Sequence, residues 1–213
     1  MAHPLVVSEW RFIPIPPEEA FHPMLVMPLT DVFTRWYGPI PPIKEVRDQS
    51  GGWDAAGQSR TVLLTGGGSM HEELTNVDPP RSFSYRLSKV SGPMSILVDH
   101  VLGEWVFAPK DGGTELTWRW TIYRKSPLTA WALPVFGRLW KGYARQVLVD
   151  LSAACLESAV AIARVPDDIR GFGHVKQLGI DQARARWAVL AHQYRTSGTT
   201  QAELGRETVT EPL

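Results

Sequence analysis

Cysteine is almost absent from this chain. The one thiol, Cys155, excludes an intrachain disulfide framework and a cysteine-rich metal site. Its apolar surroundings predict a buried core thiol rather than a nucleophile. No charge of either sign dominates: 22 Lys and Arg balance 22 Asp and Glu over 213 residues. That balance removes the usual electrostatic reason to expect nucleic acid or an anionic membrane as partner. No apolar run approaches the roughly 18 residues that a spanning helix needs, so no stable membrane insertion is expected. The N-terminus has no basic segment followed by an apolar one, which predicts no secretory signal and a cytoplasmic location.

Several catalytic and cofactor patterns are missing as well. No pair of histidines has metal-ligand spacing such as HExxH, and His71 and His100 fall on the outer faces of predicted strands. There is no G-x-S-x-G elbow. The run Gly66-Gly67-Gly68 lacks the Lys-Ser/Thr and the following helix of a phosphate loop, and reads as a turn. No metal and no cofactor is expected.

What the chain does have is tryptophan, nine in all. Several fall in the stretch Val101–Arg124, VLGEWVFAPKDGGTELTWRWTIYR, around which the rest is organised. Asp111-Gly112 suits a type I′ turn, whose central residues both take positive φ. With Lys110 opposite Gly113, Phe107 faces Leu116, Trp105 faces Trp118, Gly103 faces Trp120 and Val101 faces Ile122. That face is almost wholly apolar, and Gly103 leaves space beside Trp120. The other face pairs Glu104 with Arg119, Val106 with Thr117 and Leu102 with Thr121, as a wetted surface would. Further along, Asp99 pairs with Arg124 on the inner face, read as a salt bridge at the rim, and His100 pairs with Tyr123 outside.

Before this hairpin, Leu5–Pro14 alternates as a strand with Val6, Trp10 and Phe12 on one side. Pro17 can open a short helix, with Glu18 and Glu19 in its favoured first turn, ending near residues 23–28. A second short helix is predicted over Leu29–Trp36, then a stiff YGPIPP loop. Strands follow at Ile43–Asp48, Ser59–Leu64, Ser69–Thr75 and Ser82–Leu87. Same-face pairing places Val62 opposite Met70 and Arg60 opposite Glu72. It then places Leu74 opposite Phe83, Glu72 opposite Tyr85 and Met70 opposite Leu87. Arg60, Glu72 and Tyr85 would thus stand side by side on an apolar face, where they must satisfy one another or a ligand.

After the hairpin, Ser126-Pro127 reads as a helix start and Pro134 as a kink or restart. From Val135 to about Ala163 the apolar spacing is helical, through Phe136, Leu139, Trp140, Tyr143, Val147, Leu151, Ala154 and Ser158. Residues 1–163 form the expected domain. Residues 164–195 form a helical extension, with an amphipathic helix over Ile180–Tyr194, and 196–213 a disordered tail.

The order is strand, two short helices, strands in meander, one long helix. It resembles the START-like, Bet v 1-like helix-grip superfamily, specifically its SRPBCC or polyketide cyclase-dehydrase-like members. The residues that carry the resemblance are PIPPEEAF at 14–21, WYGP at 36–39, G-x-S-R-T-V at 57–62, DPPRSFSY at 78–85, and GEWVF at 103–107 with GGTELTW at 112–118. It covers residues 1–163. It implies an α+β fold: a curved antiparallel sheet of about seven strands around a long C-terminal helix, with a cavity for a hydrophobic ligand between them. Such proteins take lipids, sterols, polyketides, hormones or quinones, and some are enzymes. They share no catalytic motif, so no catalytic residue carries over.

The residues expected around the ligand are Met70, Phe83, Tyr85, Trp105, Phe107, Trp118, Trp120 and Tyr143, with Arg60, Glu72, Asp99 and Arg124 as the polar groups. Three functional readings follow. The first is a binder of a hydrophobic small molecule of lipid, polyketide or aromatic type. The second is a polyketide cyclase or aromatase-like enzyme, with Glu72 as acid or base, Tyr85 as proton donor and Arg60 stabilising an oxyanion. The third is an interaction protein whose Ile180–Tyr194 helix docks a partner or forms a homodimer.

Overall fold

In the computed structural model the chain folds as a seven-stranded antiparallel sheet gripping a long helix. The structure describes residues 3–129 and 131–164, with side chains as far as Glu157, and the single helical residues Ala185 and Val189. The rest of the expected extension, including most of the predicted Ile180–Tyr194 helix and the tail, lies outside the described residues.

The strands are β1 (Leu5–Ile13), β2 (Ile43–Arg47), β3 (Ser59–Leu64), β4 (Ser69–Asp78), β5 (Ser82–Ser88), β6 (Val98–Lys110) and β7 (Gly113–Arg124), in the spatial order β1-β7-β6-β5-β4-β3-β2. Helix α1 (Pro17–Val26) starts where Pro17 supplies a fixed φ and no N–H is needed. Helix α2 is only Leu29–Val32, shorter than the predicted Leu29–Trp36. The Phe33 carbonyl is turned out of the helix to accept from Ile43 N at 2.9 Å, which ends the helix and starts β2. Helix α3 (Leu133–Arg164) restarts at Pro134 after a 3-10 turn over Pro127–Thr129.

The hairpin register is the one the Asp-Gly turn requires. Asp111 and Gly112 have φ of 47° and 77°, and every expected pair from Lys110–Gly113 back to Val101–Ile122 is present. Beyond it, one expectation fails. A bulge between Val98 and His100 puts Val98, not Asp99, opposite Arg124. Val98 takes the inner position and is 1% exposed, while Asp99 turns out to solvent and bonds His100 Nδ1 at 2.7 Å. Asp99 and Arg124 form no rim ion pair.

A second correction concerns β4 and β5. Arg60 faces Glu72 and Val62 faces Met70, but Glu72 faces Leu87, Leu74 faces Tyr85 and Val77 faces Phe83. The turn closes tightly at Asp78–Ser82, which shifts the pairing by three residues, and a bulge between Leu74 and Asn76 takes one of them back. At the level of Glu72 the net slip is two residues. Every side chain therefore keeps its face while its neighbour changes.

Val6, Trp10 and Phe12 share the outer side of β1 and are exposed. The inner side instead meets α3. Glu9 accepts from Arg145 at 3.0 Å, Arg11 Nε donates to Ser152 Oγ at 2.8 Å, and Leu5 and Val7 lie against Gly137. The core is closed by Ile13, Leu74, Phe107, Leu116, Ile122, Val147 and Leu148.

Candidate functional site

Between the concave sheet face and α3 lies a cavity of about 630 Å³. That is within the range of small-molecule sites. β6 and β7 supply Trp105, Trp118 and Trp120; β4 and β5 supply Met70, Glu72, Phe83, Tyr85 and Leu87; β3 supplies Arg60 and Val62. Helix α3 closes the space with Phe136, Leu139, Trp140 and Tyr143, and α1 with Met24 and Leu25. Trp36, Trp131 and Val135 also line it and are 54%, 80% and 53% exposed, which marks the mouth.

Of the residues expected at a ligand, Arg60, Met70, Glu72, Phe83, Tyr85, Trp105, Trp118, Trp120 and Tyr143 line this cavity. Phe107 does not; it faces inward but is sealed behind Phe21 and Phe83, with ring centroids at 5.1 and 6.1 Å. Asp99 and Arg124 are also outside it, for the reason given by the β6 bulge.

The aromatic wall is ordered by ring contacts. Trp105 stacks on Trp118 at 4.7 Å and 8°. Trp140 packs against both Trp118 and Trp120, at 5.0 and 5.3 Å, and its Nε1–H has no acceptor among the described residues. Tyr85 is the polar centre of the wall. Its hydroxyl oxygen accepts from Trp118 Nε1 and from Trp120 Nε1, both at 2.8 Å. Burial, and then the charge of Glu72, push its pKa well above the usual phenol value, so Tyr85 keeps its proton at neutral pH. With both lone pairs engaged by the indoles, that proton has no acceptor among the described residues. Gly103 makes this arrangement possible. Its missing side chain, opposite Trp120 on β7, leaves room for the Tyr85 ring.

The second polar feature is the ion pair of Arg60 and Glu72. Arg60 Nε donates to Glu72 Oε2 at 2.6 Å, with the side chains 6% and 7% exposed. The guanidinium carbon lies 3.7 Å from the ring centroid of Trp53, covering one face of the cation. Trp53 gave no signal in the sequence. It sits in the loop between β2 and β3, outside any periodic segment, and has φ of 61°. That left-handed conformation is strained for a bulky residue. The next residue, Asp54, is tied to Gln58, whose Oε1 accepts from Asp54 N at 2.7 Å and whose Nε2 donates to Asp54 Oδ1 at 2.9 Å.

A family profile described as polyketide cyclase / dehydrase and lipid transport matches residues 4–155. The chain belongs to this family. A second profile, a family of unknown function, matches residues 138–189. No curated protein sequence matches the chain. Among solved structures, Ara h 8.0201 is similar at 18% identity and a TM-score of 0.53, covering 72% of this chain and 99% of that one. Ginseng major latex-like protein 151 from Panax ginseng is similar at 12% identity and 0.54, covering 72% and 98%. TTHA0849 from Thermus thermophilus is similar at 18% and 0.53, covering 72% and 99%. At such identities the likeness is one of fold, and that fold is the Bet v 1-like helix grip of the START superfamily.

Proposed function

We propose that this protein binds a hydrophobic small molecule, of lipid, polyketide or aromatic type, in the cavity between the sheet and α3. One observation carries the reading: about 630 Å³ of space walled by tryptophan, phenylalanine and aliphatic side chains, into which only a few polar groups project. Burial of an apolar body would supply the affinity, at roughly 25 cal/mol per Å² removed from water. Arg60, Glu72 and the Tyr85 hydroxyl would set the orientation. The family's description, with its lipid transport and its cyclases, is in keeping with such a role.

A second reading is favoured by Tyr85. A protonated phenol with an unspent hydrogen, in the same cavity as a carboxylate and a guanidinium, is a set that can protonate and polarise a carbonyl substrate. Under that reading the bound molecule is turned over by a cyclase- or dehydrase-like reaction.

Native mass spectrometry of the full chain, followed by organic extraction, tests the binding reading. A co-purified apolar compound, or uptake of an environment-sensitive apolar dye that Met70→Trp weakens by narrowing the cavity, is the expected result. A chain that neither carries an apolar compound nor takes one up overturns it.

A further inference from the structure

The charge state of the cavity narrows what it can accept. Arg60 and Glu72 share a single short bond, from Nε to Oε2 at 2.6 Å. A guanidinium has five N–H donors and a carboxylate two acceptor oxygens. The remaining Arg60 donors and Glu72 Oε1 have no partner among the described residues, although both side chains are more than nine-tenths buried and both line the cavity. Trp53 covers one face of the guanidinium, so its unspent donors are offered along its in-plane edges. The pair thus presents a donor edge on one side of the shared bond and an acceptor oxygen on the other.

The pair is also neutral in sum, and among the described residues no other charged side chain lines the cavity. An anionic head group placed here would meet the Glu72 carboxylate in a poorly hydrated site, where like charges repel strongly. It would also bring a charge that no second cation offsets. A neutral head group with an acceptor oxygen beside a hydrogen-bond donor meets both edges at once. Building on the proposed binding role, we infer that the ligand is a neutral apolar molecule whose polar end carries a carbonyl next to a donor, as in a hydroxy-carbonyl or an amide, and that carboxylates such as fatty acids are selected against.

Three two-ring probes of matched shape test this: naphthalene-2-carboxamide (acceptor beside donor), 2-naphthoate (anion) and 2-isopropenylnaphthalene (no polar end). Binding to the full chain is measured by isothermal titration calorimetry at pH 8. The carboxamide should bind at least tenfold more tightly than the naphthoate and more tightly than the isopropenyl compound. In Glu72→Gln the cation is left uncompensated, and the order of amide and naphthoate should reverse. Should that variant fail to fold, Arg60→Met/Glu72→Leu removes the pair without leaving a buried charge. It should bind the isopropenyl compound at least as well as the amide. Naphthoate binding to the unmodified protein as tightly as the amide overturns the inference, as does an amide no tighter than its apolar counterpart, while the cavity still stands as a hydrophobic site. Failure of all three to bind overturns the inference together with the binding role on which it rests.

Discussion

Gly103 on β6 lies directly beneath the ring of Tyr85 on β5, with which it is paired. A Cβ added at Gly103 would overlap the ring itself, not the end of a flexible chain. Gly103→Ala should therefore displace Tyr85 from the indole nitrogens of Trp118 and Trp120. The expected loss is about 2–4 kcal/mol, combining overpacking with lost buried hydrogen bonds. Urea denaturation measures it, and near-ultraviolet circular dichroism should change with it. A change under about 0.5 kcal/mol would show that the sheet yields at this point.

Removing the hydroxyl alone separates packing from hydrogen bonding. Tyr85→Phe keeps the ring over Gly103 but strands two buried indole N–H groups. Each stranded donor costs about 1–3 kcal/mol. Destabilisation of about 2–6 kcal/mol in urea, with altered tryptophan emission, is expected. An unchanged midpoint would mean that the indoles find another acceptor.

How much of this was legible in the sequence depended on what fixes register. The β6–β7 hairpin could be read pair by pair because Asp111-Gly112 dictates one turn, and arithmetic does the rest. β4 and β5 could not, because the bulge near Thr75 leaves no mark in an alternating pattern. The face of each residue survived the slip, so Glu72 and Tyr85 were correctly placed inside although not opposite each other. Asp99 was misplaced by the same kind of event, a bulge that favours burying Val98 over a charge. Trp53 had no signal, since a loop residue at positive φ belongs to no period. Met24, Leu25 and Phe33 were missed because helices as short as α1 and α2 show too few turns to reveal a face.

The Arg60–Glu72 pair gives a prediction about stability that is independent of any ligand. Both side chains are buried, so removing one leaves the other charge without an offset. Glu72→Leu and Arg60→Met should each cost about 3–5 kcal/mol. The double change Arg60→Met/Glu72→Leu should lie within about 1 kcal/mol of the unmodified chain or exceed it, because desolvation of the ions is removed along with their attraction. A double-mutant cycle in urea checks this. Strictly additive losses would show that the two groups act separately.

Alkaline pH should probe the interior through Cys155. The thiol is 1% exposed, and burial pushes its pKa from 9.0 up to about 12. In the folded chain it keeps a proton that the unfolded chain gives up, so above pH 9 the unfolded state binds fewer protons. Stability is therefore full below pH 9 and is lost as pH rises toward 12. Tyr85 and Tyr143, raised by burial from 10.0, act in the same direction from pH 10 upward. Urea midpoints should fall steadily across this range, and Cys155→Ala should delay the onset of the fall to the phenol range. The same burial makes the thiol a poor nucleophile. At pH 8 a water-soluble disulfide reagent should label the native chain at least about a hundredfold more slowly than the unfolded one, since reaction must wait for opening. Rapid native labelling would place Cys155 at an accessible surface and remove it from the wall between α3 and the sheet.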